Sequence, residues 1–148
     1  MTNNIWTDET GAFELPVQYT VAIVAAAVAV ALVSIAGYHL WQDMQTKHAV
    51  REVERIVDMA TMMYATADVG TARTIRVDFP AGMKKAGFGS SDTRSANRYY
   101  VVMDWGENNT FYARNTNFSS KTVLHDGVDR VRLRLIDEGG KHVCVENA

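Results

Sequence analysis

Residues 15–42 read LPVQYTVAIVAAAVAVALVSIAGYHLWQ and contain no Asp, Glu, Lys or Arg. At about 1.5 Å rise per residue, roughly 20 such residues cross the hydrocarbon core of a bilayer. An uncharged apolar run of this length predicts a membrane-spanning helix, with membrane lipid as its first partner. Tyr38 and Trp41 stand where an interfacial aromatic belt belongs and place the boundary there.

The run is built from small residues. Val21 to Ala36 holds seven alanines and five valines but one leucine. Ala22 and Ala26, like Ala25 and Ala29, are four apart and share a helix face. Small residues at that spacing let two helix backbones approach closely in lipid, where no hydrophobic force drives them together. The same alanines also serve as plain apolar filler, and the two readings stay open. A signal peptide is a third reading, but the run exceeds a 7–15-residue signal core and lacks a basic start.

Past Trp41 the polarity changes, but no Gly or Pro interrupts residues 39–69. Val50, Val53, Ile56, Val57, Ala60, Met63 and Tyr64 recur at three- and four-residue steps, an apolar stripe on an amphipathic helix. Lys47, Arg51, Glu54, Arg55 and Asp58 occupy the other face. Asp68 and Gly70 signal the stop, and Pro16 suits a first helical turn. One helix from about Leu15 to Ala67 is therefore predicted, on the order of 80 Å long, with Gly37 the place for a bend.

From Thr71 the period becomes two. Strands are predicted at Thr74–Phe79, Tyr99–Trp105, Thr110–Arg114, around Val131-Leu133-Leu135 and at His142–Glu146, with loops and one short strand at Gly87-Phe88 over residues 81–97. A sheet of about five strands with one polar face needs a cover for the other. The 50–64 stripe supplies it, with Val53, Ile56, Val57, Ala60 and Tyr64 as the packing residues. The fold class is α+β: a long N-terminal helix, membrane-apolar and then amphipathic, on a small antiparallel sheet. Its divisions are a polar segment 1–14, a span 15–41, an amphipathic continuation 42–68 and a β-domain 71–148.

Composition bounds the function. The chain has 148 residues and a net charge of −2, room for one span and one modest domain, with no basic field for nucleic acid. Lys and Arg read as scattered rather than as a stripe. The single cysteine, Cys144, excludes an internal disulfide.

This layout resembles the type IV pilins, and archaeal pilin-like proteins in particular. The resemblance rests on a short polar leader, a Gly-Ala junction and an acidic residue entering the apolar helix: Gly11-Ala12-Phe13-Glu14, then Leu15 onward. It implies peptidase cleavage between Gly11 and Ala12. It further implies helices packed as a filament core, with Glu14, Ala22, Ala25, Ala26 and Ala29 at helix–helix contacts. Copies of the chain or other pilin-like subunits are then the partners. Glu14 has a second reading as an acidic residue favoured by a helix N-terminus.

Orientation is opposed by two arguments. The first 42 residues have no Lys or Arg, whereas Lys47, Arg51 and Arg55 follow the span, which favours a cytoplasmic domain. Pilin-like insertion places the domain outside, and glycosylation sequons at Asn108 (Asn108-Asn109-Thr110) and Asn117 (Asn117-Phe118-Ser119) fit that placement. The outside placement is preferred.

Candidate chemistry is sparse. His142 and Cys144 share a strand face with His125 a conceivable third ligand, but CxxC and HxxxH are absent. Gly87-Phe88-Gly89-Ser90-Ser91 lacks the Lys-Ser/Thr ending of a phosphate loop. Asp104, Glu107, Asp126 and Asp137 read as solvated turn carboxylates. Tyr99, Tyr100, Trp105, Phe111, Tyr112 and Phe118 divide between core and edge. The expectation is no enzyme, no metal and no cofactor. Two classes remain: a structural subunit or accessory of a pilin-like surface filament, and a single-pass anchor whose β-domain binds a surface-layer or other envelope protein. The membrane-anchored stator proteins of the archaellum share the second plan.

Overall fold

The helix is uninterrupted through the change in polarity: α1 runs from Thr10 to Thr66. The computed structural model describes residues 10–90, 96–119, 122–137 and 139–148, with side chains from residue 16 on. Residues 1–9 of the polar segment lie outside the described residues. The Gly11–Ala12 junction and Glu14 fall within the bounds of α1, but their side chains lie outside the description. The chain divides into two compact units, Met1–Trp41 and Gln42–Ala148.

The start of α1 corrects the expectation for Pro16. It stands inside the helix rather than in the first turn, so its missing N–H removes one helical hydrogen bond near the N-terminal end. At the other end Ala67 N–H closes the last turn on Met63 O at 2.9 Å, and Thr71 N–H bonds Asp68 O at 3.1 Å. Gly70 takes φ 90°, a left-handed conformation that glycine adopts without a Cβ clash. Its N–H then reaches Leu135 O at 2.8 Å, which starts the first strand pairing.

The second unit holds seven strands in two antiparallel sheets, not one sheet of about five. They are β1 (Ala72–Arg76), β2 (Met83–Phe88), β3 (Arg98–Met103), β4 (Asn108–Tyr112), β5 (Thr122–Leu124), β6 (Arg130–Asp137) and β7 (Lys141–Asn147). One sheet has the order β1-β6-β7 and the other β4-β3-β2-β5. Segment 117–119 runs along β7, where Ser119 N–H bonds Val143 O at 3.0 Å and Val143 N–H bonds Asn117 O at 2.8 Å.

Two further expectations are corrected. β1 ends at Arg76 rather than Phe79: Val77 N–H bonds Asp129 O at 3.0 Å while Val77 and Phe79 turn into the core. The 81–97 region supplies a full strand, β2, between β3 and β5. A register shift between Met83 and Lys85 lets that strand bend. Gly87 is required within it, because a Cβ there would lie 2.2 Å from the Tyr100 ring.

A single core joins helix and sheets. α1 contributes Ala49, Val53, Ile56, Val57, Ala60 and Met63, a spacing of one face over four turns. The three-stranded sheet contributes Val131, Leu133, Leu135, Val143 and Val145, alternate residues of β6 and β7. From the four-stranded sheet come Ala86, Phe88, Tyr99, Val101 and Met103. Phe88 and Phe118 meet edge to face at 5.4 Å.

Candidate functional site: an exposed apolar helix and a docked β-domain

In the first unit, the described side chains have no cover. Val17, Ile23, Val28, Leu32, Val33 and Leu40 are all more than half exposed. Among the described residues this is the one helix long and apolar enough to cross a membrane, and none of its apolar window is buried. Such a helix is compatible with a single-pass membrane anchor. Its polar side chains suit an apolar surrounding: Thr20 Oγ1 donates to Pro16 O and Ser34 Oγ to Val30 O, both at 2.8 Å. These bonds within the helix satisfy hydroxyls where lipid offers no partner. Ala22, Ala25, Ala26 and Ala29 are exposed on this helix. Tyr38 and Trp41 stack with ring centroids 6.1 Å apart.

In the second unit, polar contacts fix α1 to the sheets at intervals along its length. Thr46 Oγ1 donates to Glu107 Oε2 at 2.8 Å. Glu52, buried on the helix, accepts the Asp78 backbone N–H at 3.2 Å and two bonds from Arg55 Nη1 at 2.9 and 2.8 Å. Farther along, Thr116 Oγ1 donates to Thr61 Oγ1 at 2.8 Å, and Thr61 to Val57 O. Lys141 Nζ donates to Ala67 O at 3.2 Å and lies 5.5 Å above the Tyr64 ring. Val53, Ile56, Val57 and Ala60 are buried and Tyr64 half-buried beneath these contacts.

Glu107 is therefore not an idle turn carboxylate. Asn109 Nδ2 donates to its Oε1 at 3.0 Å, and Trp105 Nε1 to its Oε2 at 3.1 Å. These bonds, with that from Thr46, hold its carboxyl below the usual range, Asn109 contributing most and slight burial opposing. The residue sits in an open cleft of about 360 Å³ between α1 and β4, whose other walls include Val50, Glu54 and Phe111.

Scattered along the sequence, four of the arginines gather on one sheet face in the fold. Arg130, Arg132 and Arg134 project from the outer face of β6, and Arg76 faces Arg130 directly across β1. The alternation in β6 signals the first three; the fourth depends on strand register.

The remaining sequence candidates stay apart. His142 Nδ1 lies 2.6 Å from Gly140 O, Cys144 Sγ donates to Glu146 Oε1 at 3.4 Å, and His125 Nδ1 lies 3.4 Å from Lys84 O on another sheet. No group of three metal-ligating side chains occurs among the described residues. Tyr99, Tyr100 and Phe118 are buried, Trp105 and Phe111 are half-buried, and Tyr112 is 62% exposed. Asn108 and Asn117 are exposed. No family model matches the chain, and no curated protein or solved structure is significantly similar to it.

Proposed function

We propose that the chain is a structural subunit or accessory of a type IV pilin-like cell-surface filament, its β-domain displayed outside the cell. The observation that supports this reading is the division of labour along one continuous helix. Residues 16–41 of α1 are apolar and bare, while its later turns form the cover of a small antiparallel domain. A bare apolar helix needs lipid or other helices around it. The small residues Ala22, Ala25, Ala26 and Ala29 permit the second.

The test is mass spectrometry of the mature N-terminus together with electron microscopy of sheared surface material. A mature start at Ala12 and chain-containing filaments support the proposal. An intact N-terminus with the chain only in discrete membrane particles favours the other reading, a single-pass anchor whose β-domain binds an envelope protein.

A further inference from the structure

The outer face of β1 and β6 concentrates positive charge, with Glu146 of β7, opposite Arg132 in the ladder and bonded to Arg134, as the carboxylate beside it. Arg76 and Arg130 are cross-strand partners, and Arg132 lies two residues on, all three exposed. Like charges directly opposite on a sheet disfavour the pairing. Among the described residues, Arg134 has a partner in Glu146 at 3.2 Å, whereas no ion pair engages Arg76, Arg130 or Arg132. Arginine's planar fork is suited to oxyanions, carboxylates included.

A matching pair of carboxylates lies elsewhere on the same domain. Glu54 and Asp58 are exposed on α1, one helical turn apart, and no ion pair engages either. The nearby Arg55 is already held by the buried Glu52. Burial, and then the charges of Glu54 and Asp58, hold the Tyr99 hydroxyl above its usual range, so both carboxylates act on the same hydroxyl. The spacings agree as well. Residues four apart on a helix are separated by about 6 Å, and residues two apart on a strand by about 6.7 Å.

We propose that Arg130 and Arg132 of one copy dock on Glu54 and Asp58 of the next. This rests on the filament reading above and names a contact between its subunits. Taken head to tail, the arginine pair of each copy engages the carboxylate pair of the next and leaves its own carboxylates for a third copy. Such contacts extend into open filaments whenever the rotation between copies does not close a ring. Being exposed on both sides, the contact weakens as salt shortens the Debye length below about 10 Å.

Charge reversal tests it in the full chain. Three variants are compared with the native protein: Arg130→Glu with Arg132→Glu, Glu54→Arg with Asp58→Arg, and all four together. Each is confirmed as folded by circular dichroism. Filament formation and self-association in neutral detergent micelles are measured side by side. Each double reversal raises the concentration needed for self-association roughly tenfold, and the fourfold variant recovers to within about threefold of native. Folded variants that associate like the native chain, or a fourfold variant that stays as weak as the doubles, overturn the contact. Should arginine reversal abolish retention on a sulfated polysaccharide resin yet spare self-association, the face serves a polyanion and the proposal falls. Native self-association in micelles without filaments keeps the contact and removes the filament reading. Filaments from every variant do the opposite, and a native chain that does neither removes both.

Discussion

Thr46 on α1 and Glu107 at the entrance to β4, 61 residues apart, share a 2.8 Å hydrogen bond. With the larger contributions of Asn109 and Trp105, that bond makes Glu107 a carboxylate whose ionised form is stabilised by folding. A group with a depressed folded pKa contributes stability above its unfolded value, and that contribution disappears as pH falls through the folded value. The Glu107 contribution is therefore complete above about pH 4.5, the ordinary value, and fades below it. Glu107→Gln removes this acid-dependent component, so the urea midpoints of the variant and native chains converge as pH is lowered. Thr46→Val, which removes one donor, destabilises by about 1 kcal/mol at neutral pH.

The core contacts of α1 predict unequal effects from neighbouring residues. Ile56 is fully buried, so Ile56→Ala destabilises by roughly 2–4 kcal/mol. Arg51→Ala, on the exposed face and without an ion pair among the described residues, stays within about 0.5 kcal/mol. Arg55→Ala is intermediate, about 1–2 kcal/mol, because it strips buried Glu52 of a charged partner. Denaturant midpoints rank the three; equal effects would mean that α1 does not cover the sheets.

At Gly87 the prediction is steric. A methyl group there collides with the Tyr100 ring, which also carries the Arg98 guanidinium 5.3 Å from its centroid. Gly87→Ala thus displaces Tyr100 and lowers stability by about 1–3 kcal/mol. A thermal midpoint unchanged from native would show that the ring moves freely.

What was legible in the sequence, and what was not, follows from the range of the interactions. β6 announces itself because Val131, Leu133 and Leu135 alternate with arginines, a pattern needing no partner to be read. The stripe on α1 is legible for the same reason. β2 was obscured because Lys84-Lys85 and Gly87 break its alternation, and Gly87 is explained only by Tyr100 across the ladder. β5 has three residues, too few for any period. Glu52 and Glu107 look like surface carboxylates until distant residues arrive: the Asp78 N–H for the first, Thr46 for the second. The small-residue spacing in 22–29 was visible at once, because helix periodicity alone sets it.

That spacing carries its own prediction. Ala26→Leu exchanges one apolar side chain for a larger one, so membrane insertion is retained while close helix approach is blocked. The variant reaches the membrane but assembles several-fold less than native, and Val24→Leu, off the alanine positions, assembles normally. Normal assembly of Ala26→Leu would make the alanines filler.

The most direct test of the account is alkaline carbonate extraction of membranes from cells making the full chain, beside a chain trimmed to Gln42–Ala148. The bare helix of the first unit predicts that the full chain remains in the pellet and the trimmed one in the supernatant, folded. Release of the full chain by carbonate would contradict the anchor outright.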